Sequence, residues 1–146
     1  MTLPDFNNTG DLPEGVHRAM LEEILERFSG DNDQRKAVTL RLVRIYQLAA
    51  ATSKVERFII FGSYITSKPE PNDIDIVLIM REDFELATCD EETGKLFEHT
   101  QAEIEFGASI FWIRTSFLLL ETVDEFVSYW QSKRDGSRRG IVEVTS

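Results

Sequence analysis

The chain has 146 residues, of which 42% are hydrophobic, and it carries a formal net charge of −10 at pH 7. This length allows one domain with a substantial core and is too short for two, so we expect a single domain over 1–146. Its parts are a helical segment over 1–54 and a sheet core with a C-terminal helix over 55–146. The acidic charge argues against binding of long nucleic acid, because such proteins contact phosphates through basic surfaces.

The sequence also lacks the usual signals for a membrane or an export pathway. No apolar run approaches the roughly 18 residues of a membrane span, and the N-terminus lacks the basic and apolar regions of a signal peptide. The single cysteine, Cys89, excludes an internal disulfide and suits a reducing compartment. The sequence therefore predicts a cytoplasmic protein without membrane contact.

The N-terminal segment predicts two helices. After a leader through Gly15, apolar residues at helical spacing predict a first helix from Met20 to Phe28, which Ser29 and Gly30 end. Aspartate and asparagine at 31–33 are candidate caps for a second helix that runs to about residue 52. Its apolar face is broad, so we expect this helix to be long and largely buried.

Two strands follow. Arg57 to Phe61 is apolar and β-rich, and Asp73 to Met80 is a second apolar run. Between them, Gly62 to Lys68 predicts a turn, and Pro69 to Asn72 predicts a loop. The two strands therefore enclose a short connection that begins with glycine and serine.

The C-terminal half predicts the remaining elements of an α+β fold. Residues 81–94 are mostly polar and predict a loop, followed by a helix from about Lys95 to Ile104. Ala108 to Ile113 predicts a third strand, and apolar spacing predicts a helix from about Val123 to Lys133. Ile141 to Val144 predicts a short edge strand.

Two aspartates on the second strand indicate a chemical role. Side chains alternate along a strand, so Asp73 and Asp75 project together while Ile74 and Ile76 enter the core. Two carboxylates held this close repel each other, and either a shared proton or a divalent cation relieves the repulsion; we favour the cation. Oxygen ligands suit Mg²⁺, which binds one or two carboxylates together with phosphates and water. We therefore predict Asp73 and Asp75 as magnesium ligands.

The glycine and serine before them are suited to a phosphate. Gly62 lets the backbone approach a ligand closely, and Ser63 offers a hydroxyl and a backbone N–H. A purely structural interpretation treats Gly62-Ser63 as a tight turn and Asn72-Asp73 as a turn cap. That interpretation leaves Asp75, which is flanked by apolar residues, without a reason.

These residues resemble the signature of the nucleotidyltransferase superfamily, the fold of DNA polymerase beta. The matching residues are Phe61-Gly62-Ser63, nine spacer residues, and Asp73-Ile74-Asp75-Ile76. The resemblance implies a nucleotidyltransferase-like core with a small mixed β-sheet flanked by helices. It implies that Asp73 and Asp75 are catalytic and bind Mg²⁺, and that Gly62 and Ser63 hold the phosphates of a nucleoside triphosphate. Lys68, at the end of the same segment, joins them as a nucleotide-binding candidate.

Active members of this superfamily usually add a third carboxylate from the strand that follows. Here the strand from Ala108 to Ile113 contains no acid, and we expect Ser109 at the position of that carboxylate. Glu103 and Glu105 precede the strand, and Glu143 is more remote. Glu105 is our candidate for the third catalytic residue.

Small proteins of this type resemble the antitoxin component of bacterial toxin–antitoxin pairs. The resemblance implies Mg²⁺-dependent transfer of a nucleoside monophosphate, AMP, from a nucleoside triphosphate to a hydroxyl of a partner toxin. A catalytically degenerate protein that acts by binding the toxin is the alternative, and a plain acidic scaffold domain is a third. An acidic surface fits a basic, RNA-cleaving toxin.

A cluster of basic residues near the C-terminus has two interpretations. It consists of Lys133, Arg134, Arg138 and Arg139. These side chains could belong to a solvated loop after a helix, where cations are favoured. They could equally contact a triphosphate or a partner protein.

Overall fold

The computed structural model describes residues 3–118 and 121–145 and contains a five-stranded sheet in the order β1-β5-β2-β3-β4. The strands are β1 (Val16–Met20), β2 (Val55–Phe61), β3 (Ile74–Met80), β4 (Ala108–Arg114) and β5 (Ile141–Thr145). The β1/β5 and β3/β4 pairs are parallel, whereas β2 is antiparallel to both β3 and β5. The sheet is therefore mixed, and the predicted α+β class is confirmed.

Helices flank this sheet. They are α1 (Leu21–Phe28), α2 (Asp33–Ala51), α3 (Glu91–Gly94), α4 (His99–Phe106) and α5 (Val123–Tyr129). The long α2 begins where the Asn32 side chain accepts a hydrogen bond from the Arg35 backbone N–H. Val38, Leu42 and Ile45 are fully buried, as the broad apolar face predicts. Within the described residues, none of these helices combines the length and apolar character needed to cross a membrane.

One face of the sheet carries the residues of the sequence motif. Phe61 on β2 is paired with Asp75 on β3, and Asp75 is paired with Ser109 on β4. Paired residues project to the same side of a sheet, so these three share a face. Trp130, directly after α5, packs against Phe61 on that face, with ring centroids 4.9 Å apart.

The structure corrects the predicted edge of the sheet. Residues 16–20 form a strand, whereas the sequence predicted leader followed by a helix from Met20. This strand pairs outside β5, so β5 lies between two other strands and is not at the edge. The sequence underestimated β1 because Arg18, Ala19 and Met20 favour helices, and its pairing is long-range.

The helices near the C-terminus are also shorter than predicted. The stretch predicted as one helix from Lys95 to Ile104 contains a 3₁₀ turn, Lys95–Phe97, and then α4, which extends to Phe106. The short helix α3 lies within the predicted loop 81–94. The last helix ends at Tyr129, because residues 131–139 form a turn structure of their own.

Candidate functional site

The turn after β2 requires glycine. Gly62 has a φ of 84°, a backbone conformation that other residues avoid. A Cβ atom at this position would overlap the carboxylate of Asp75. The sequence predicted that the backbone at Gly62 lies close to a ligand. In the structure the group that lies close to it is the carboxylate of Asp75. A 3₁₀ turn, Ser63–Ile65, follows and directs the chain along one end of the sheet.

A buried arginine that the sequence analysis did not identify holds this turn in place. Arg35, near the start of α2, is only 7% exposed. Its guanidinium donates to the carbonyl oxygens of Tyr64 (2.9 Å), Thr66 (2.6 Å) and Lys68 (2.7 and 3.1 Å). It also donates to the carbonyl of Phe28 at 2.7 Å. The first turn of α2 thus fixes the path of the segment that joins the two motif strands.

Two neighbours of Arg35 continue this contact along the loop. The side-chain amide of Asn32 donates to the carbonyl of Pro69 at 2.7 Å, and that of Gln34 donates to the carbonyl of Pro71 at 2.6 Å. The available sequence signal was an arginine three residues before Val38 on the buried face of an amphipathic helix. Such a position implies a specific set of acceptors.

The two aspartates repel each other in a partly desolvated position. Burial, followed by the charge of Asp73, raises the pKa of Asp75 to about 6. The charges of Arg139 and Arg134 and the Ser109 hydroxyl oppose that rise. Burial also raises the pKa of Asp73, which lies just before β3, while Lys68 acts in the opposite direction. A cation beside the pair would stabilise both ionised forms.

These residues open onto a cleft of about 720 Å³. Gly62, Ser63, Lys68 and Asp75 line it, together with Ser109 on β4. The structure therefore brings four of the predicted site residues to one cleft. Asp73 is not among the residues that line it, although its charge acts on Asp75. The charges of Arg41, Glu103 and Lys68 act on Asp73 in turn.

The structure does not bring Glu105 to this cleft. Its carboxylate pairs with Arg44 at 2.8 Å and with Lys95 at 3.4 Å, and Arg44 holds its pKa below the ordinary value. Glu103 and Glu105 are two positions apart on α4 and therefore lie on different sides of the helix. Glu103 is the one whose charge acts to raise the pKa of Asp73. The residue opposite Asp75 on β4 is Ser109.

The other remote acid is occupied elsewhere. Glu143, on β5, is 7% exposed and pairs with Arg57 at 2.7 Å. Arg18 lies 3.6 Å from the same carboxylate. Glu143 is therefore part of an ion-pair network between β1, β5 and β2.

Asp73 and Asp75 form a donor set that fits Mg²⁺. Asp75 lies on β3 and Asp73 directly before it, and burial raises the pKa of both carboxyl groups. Among residues 3–118 and 121–145, no group of three or more His, Cys, Asp or Glu side chains is arranged to hold a metal. Magnesium that takes one or two carboxylates completes its coordination with water and phosphate and does not need such a group.

The basic cluster divides between the cleft and the outer surface. Lys133, Arg134 and Arg139 line the cleft. Arg138 instead pairs with Glu14 at 2.6 Å. Three of the four basic residues thus share the cleft with Asp75, and one belongs to the surface.

The fold and the cleft define an α+β protein in which Asp75 shares a cleft with a glycine-serine turn and a basic segment. The chain belongs to the family of unknown function DUF6932, which matches residues 4–145. No curated protein and no solved structure matches it.

Proposed function

We propose that this protein is a magnesium-dependent nucleotidyltransferase that moves AMP from ATP to a hydroxyl of a partner protein, and that it is the antitoxin of a toxin–antitoxin pair. The observation that carries the proposal is the contact between the Gly62 turn and Asp75 at a cleft lined by basic residues. A structural turn needs neither a desolvated pair of carboxylates nor cations facing them. A nucleotide bound with a metal uses both.

Each site residue has a role in this proposal. Asp73 and Asp75 hold Mg²⁺, which when bound would activate the acceptor hydroxyl and neutralise charge on the departing pyrophosphate. The backbone at Gly62 and Ser63 binds phosphate oxygens, with Lys68 as a further cation. Because the pKa of Asp75 is raised to about 6 in the protein without metal, a cation competes there with a proton, and its binding should strengthen as the pH rises through 6.

One observation favours the alternative, a degenerate protein that binds its toxin without transferring a nucleotide. Ser109 is the partner of Asp75 on β4, and Glu105 is held by Arg44 and Lys95. A serine hydroxyl is a weaker metal ligand than a carboxylate. Under this alternative, nucleotide binding survives and transfer does not.

The first experiment tests binding. The thermal midpoint of the protein is measured with Mg²⁺ and each nucleoside triphosphate, since a ligand selective for the folded state must raise it. We expect a rise that needs both Mg²⁺ and nucleotide and that Asp73→Ala abolishes. Asp83→Asn is the control, because Asp83 pairs with Lys54 on the outer surface. No rise with any nucleotide contradicts both the transferase and its degenerate alternative.

The second experiment tests transfer. The protein is co-expressed with the product of the adjacent gene, and that product is examined by mass spectrometry for one added AMP. We expect the adduct with the wild-type protein and with Asp83→Asn, and not with Asp73→Ala. A stable complex without an adduct, unchanged by Asp73→Ala, supports the degenerate alternative instead.

A further inference from the structure

The cleft concentrates basic side chains in a protein that is acidic as a whole. The chain has a net charge of −10. The described residues lining the cleft nevertheless include four basic side chains, Lys68, Lys133, Arg134 and Arg139, against two acidic ones, Asp75 and Asp135. A concentration of cations in an acidic protein favours an anionic ligand at that place.

Most of these cations come from residues 131–139, which we call the basic loop. Its backbone is held by internal hydrogen bonds, from Lys133 N to Ser137 O (2.8 Å) and from Arg139 N to Gln131 O (2.9 Å). Gln131 is 4% exposed, and its side-chain oxygen accepts from Gly15 N at 2.6 Å. The basic loop is therefore fixed before a ligand arrives, which lowers the entropy cost of binding.

A single buried carboxylate holds two of the cations. Asp11, 6% exposed, lies 3.3 Å from Lys133 Nζ and 3.3 Å from an Arg139 guanidinium nitrogen. One carboxylate shared by two cations balances only one of their two charges. Asp11 thus positions these cations without neutralising both.

Arg134 differs from both of them. It is exposed, it lines the cleft, and it makes no salt bridge with any residue in the described part of the chain. Arg134 and Asp75 line the same cleft, and the charge of Arg134 acts to lower the pKa of Asp75. An arginine that is held near a cleft and has no carboxylate partner there is available for an anion.

We propose that Lys133, Arg134 and Arg139 of the basic loop bind the polyphosphate chain of the nucleotide, across the cleft from Ser63 and Lys68. The identity of the ligand as a nucleoside triphosphate rests on the proposed function. The recognition itself is of a linear polyphosphate, which has charge along its whole length and so can contact both sides of the cleft. Arg134 supplies the largest share, because its charge is not already paired.

The test uses two arginines of the same loop. Arg134 and Arg138 are both exposed, but Arg134 lines the cleft and Arg138 pairs with Glu14. Binding of inorganic tripolyphosphate is measured by titration calorimetry in EDTA, without metal, for the wild type, Arg134→Gln and Arg138→Gln. We expect Arg134→Gln to weaken binding about fivefold or more and Arg138→Gln to change it less than about twofold. Equal thermal midpoints for the three proteins verify that both variants are folded.

Two outcomes overturn this inference: no binding of tripolyphosphate by the wild type, or an equal loss in both variants. Failure of the proposed function gives a different result. If tripolyphosphate binds through Arg134 but no AMP adduct forms, the basic loop is a polyphosphate site and the transferase proposal fails. If AMP is transferred and Arg134→Gln leaves the KM for ATP unchanged, the transferase proposal stands and this inference is wrong.

Discussion

Two arginines are withdrawn from water in this protein, and their surroundings differ. Arg57, on β2, has a side chain that is 14% exposed, and it pairs with Glu143 at 2.7 Å and with Asp124 at 2.8 Å. Arg35, on α2, is 7% exposed, and its guanidinium donates to carbonyl oxygens around the Gly62 turn. Hydrogen bonding to Glu143 raises the pKa of Arg57, whereas burial lowers that of Arg35.

The difference separates a structural region from a candidate functional one. Carboxylates balance the charge of Arg57, so this part of the sheet has no unpaired charge for a ligand to neutralise. Around Arg35 a positive charge lies beneath the turn, and carbonyl dipoles are the partners of its guanidinium. Carbonyl dipoles carry no net charge, so an anion bound at the turn would supply the negative charge that compensates the Arg35 guanidinium.

The largest effect on stability is expected when Arg57 is removed. Arg57→Ala leaves Glu143 buried with only the more distant Arg18, so we expect a loss of about 3–5 kcal/mol in the free energy of unfolding. Urea denaturation monitored by circular dichroism measures it. The double variant Arg57→Met/Glu143→Leu removes both charges and should recover most of the loss. Asp124→Ala should cost less than about 1 kcal/mol, because that carboxylate is 88% exposed. Equal losses in Asp124→Ala and Arg57→Ala would contradict the assignment.

Removal of Arg35 should have a smaller effect on stability and a distinct effect on binding. Arg35→Met leaves the carbonyls of Tyr64, Thr66 and Lys68 without their donor, at a cost of about 3 kcal/mol. It should also weaken tripolyphosphate binding, measured well below the thermal midpoint. The Arg57→Met/Glu143→Leu protein should bind tripolyphosphate as the wild type does. Equal binding by both variants would remove the distinction between the two regions.

The Gly62 turn should not tolerate a side chain at its first residue. Gly62→Ala forces a side chain into a left-handed conformation against Asp75, so we expect a loss of about 2 kcal/mol. Gly94 is the matched control, because its φ of −58° is helical and a Cβ there meets nothing within 4 Å. Gly94→Ala should gain about 0.5 kcal/mol. Parallel urea titrations compare the two variants. An unchanged free energy of unfolding in Gly62→Ala would contradict the requirement for glycine at this position.

The site could be predicted from sequence to the extent that it depends on local patterns. The Gly62-Ser63 turn and the spacing of Asp73 and Asp75 are properties of short segments. The structure forms the turn and brings Gly62, Ser63 and Asp75 to one cleft, whereas β3 begins at Ile74 and Asp73 does not line that cleft. The contacts of Arg35 and Asp11 join segments far apart in the chain, so a local pattern could not reveal them.

The fold shows the same limit. The buried run at 141–144 correctly predicted a strand, but its neighbours in the sheet depend on β1, whose residues have weak strand preference. Glu105 could serve as the third carboxylate only if β4 began before Ala108. The strand begins at Ala108, and Glu105 belongs to α4, where it pairs with Arg44 and Lys95.

The smallest effect concerns Asp75, and it has the opposite sign. The pKa of Asp75 is raised from 3.8 to about 6, so between those values the folded protein binds a proton that the unfolded chain has released. Stability from this group is therefore present below about pH 4 and is lost as the pH rises through 6. Asp75→Asn removes the loss and should be more stable than the wild type at pH 7.5 by about 1 kcal/mol, which allows for partial exposure of the carboxylate.

Urea titrations at pH 4 and pH 7.5 test this expectation, and the two proteins should differ less at pH 4. Asp83→Asn is the control, since pairing with Lys54 lowers the pKa of Asp83 and should give no gain at pH 7.5. Addition of Mg²⁺ and ATP should reverse the order at pH 7.5, because the ligand stabilises only the protein with the ionised carboxylate. If Asp75→Asn is less stable than the wild type without ligand, Asp75 contributes to the stability of the fold, as Glu143 does, and the contrast between the two regions fails.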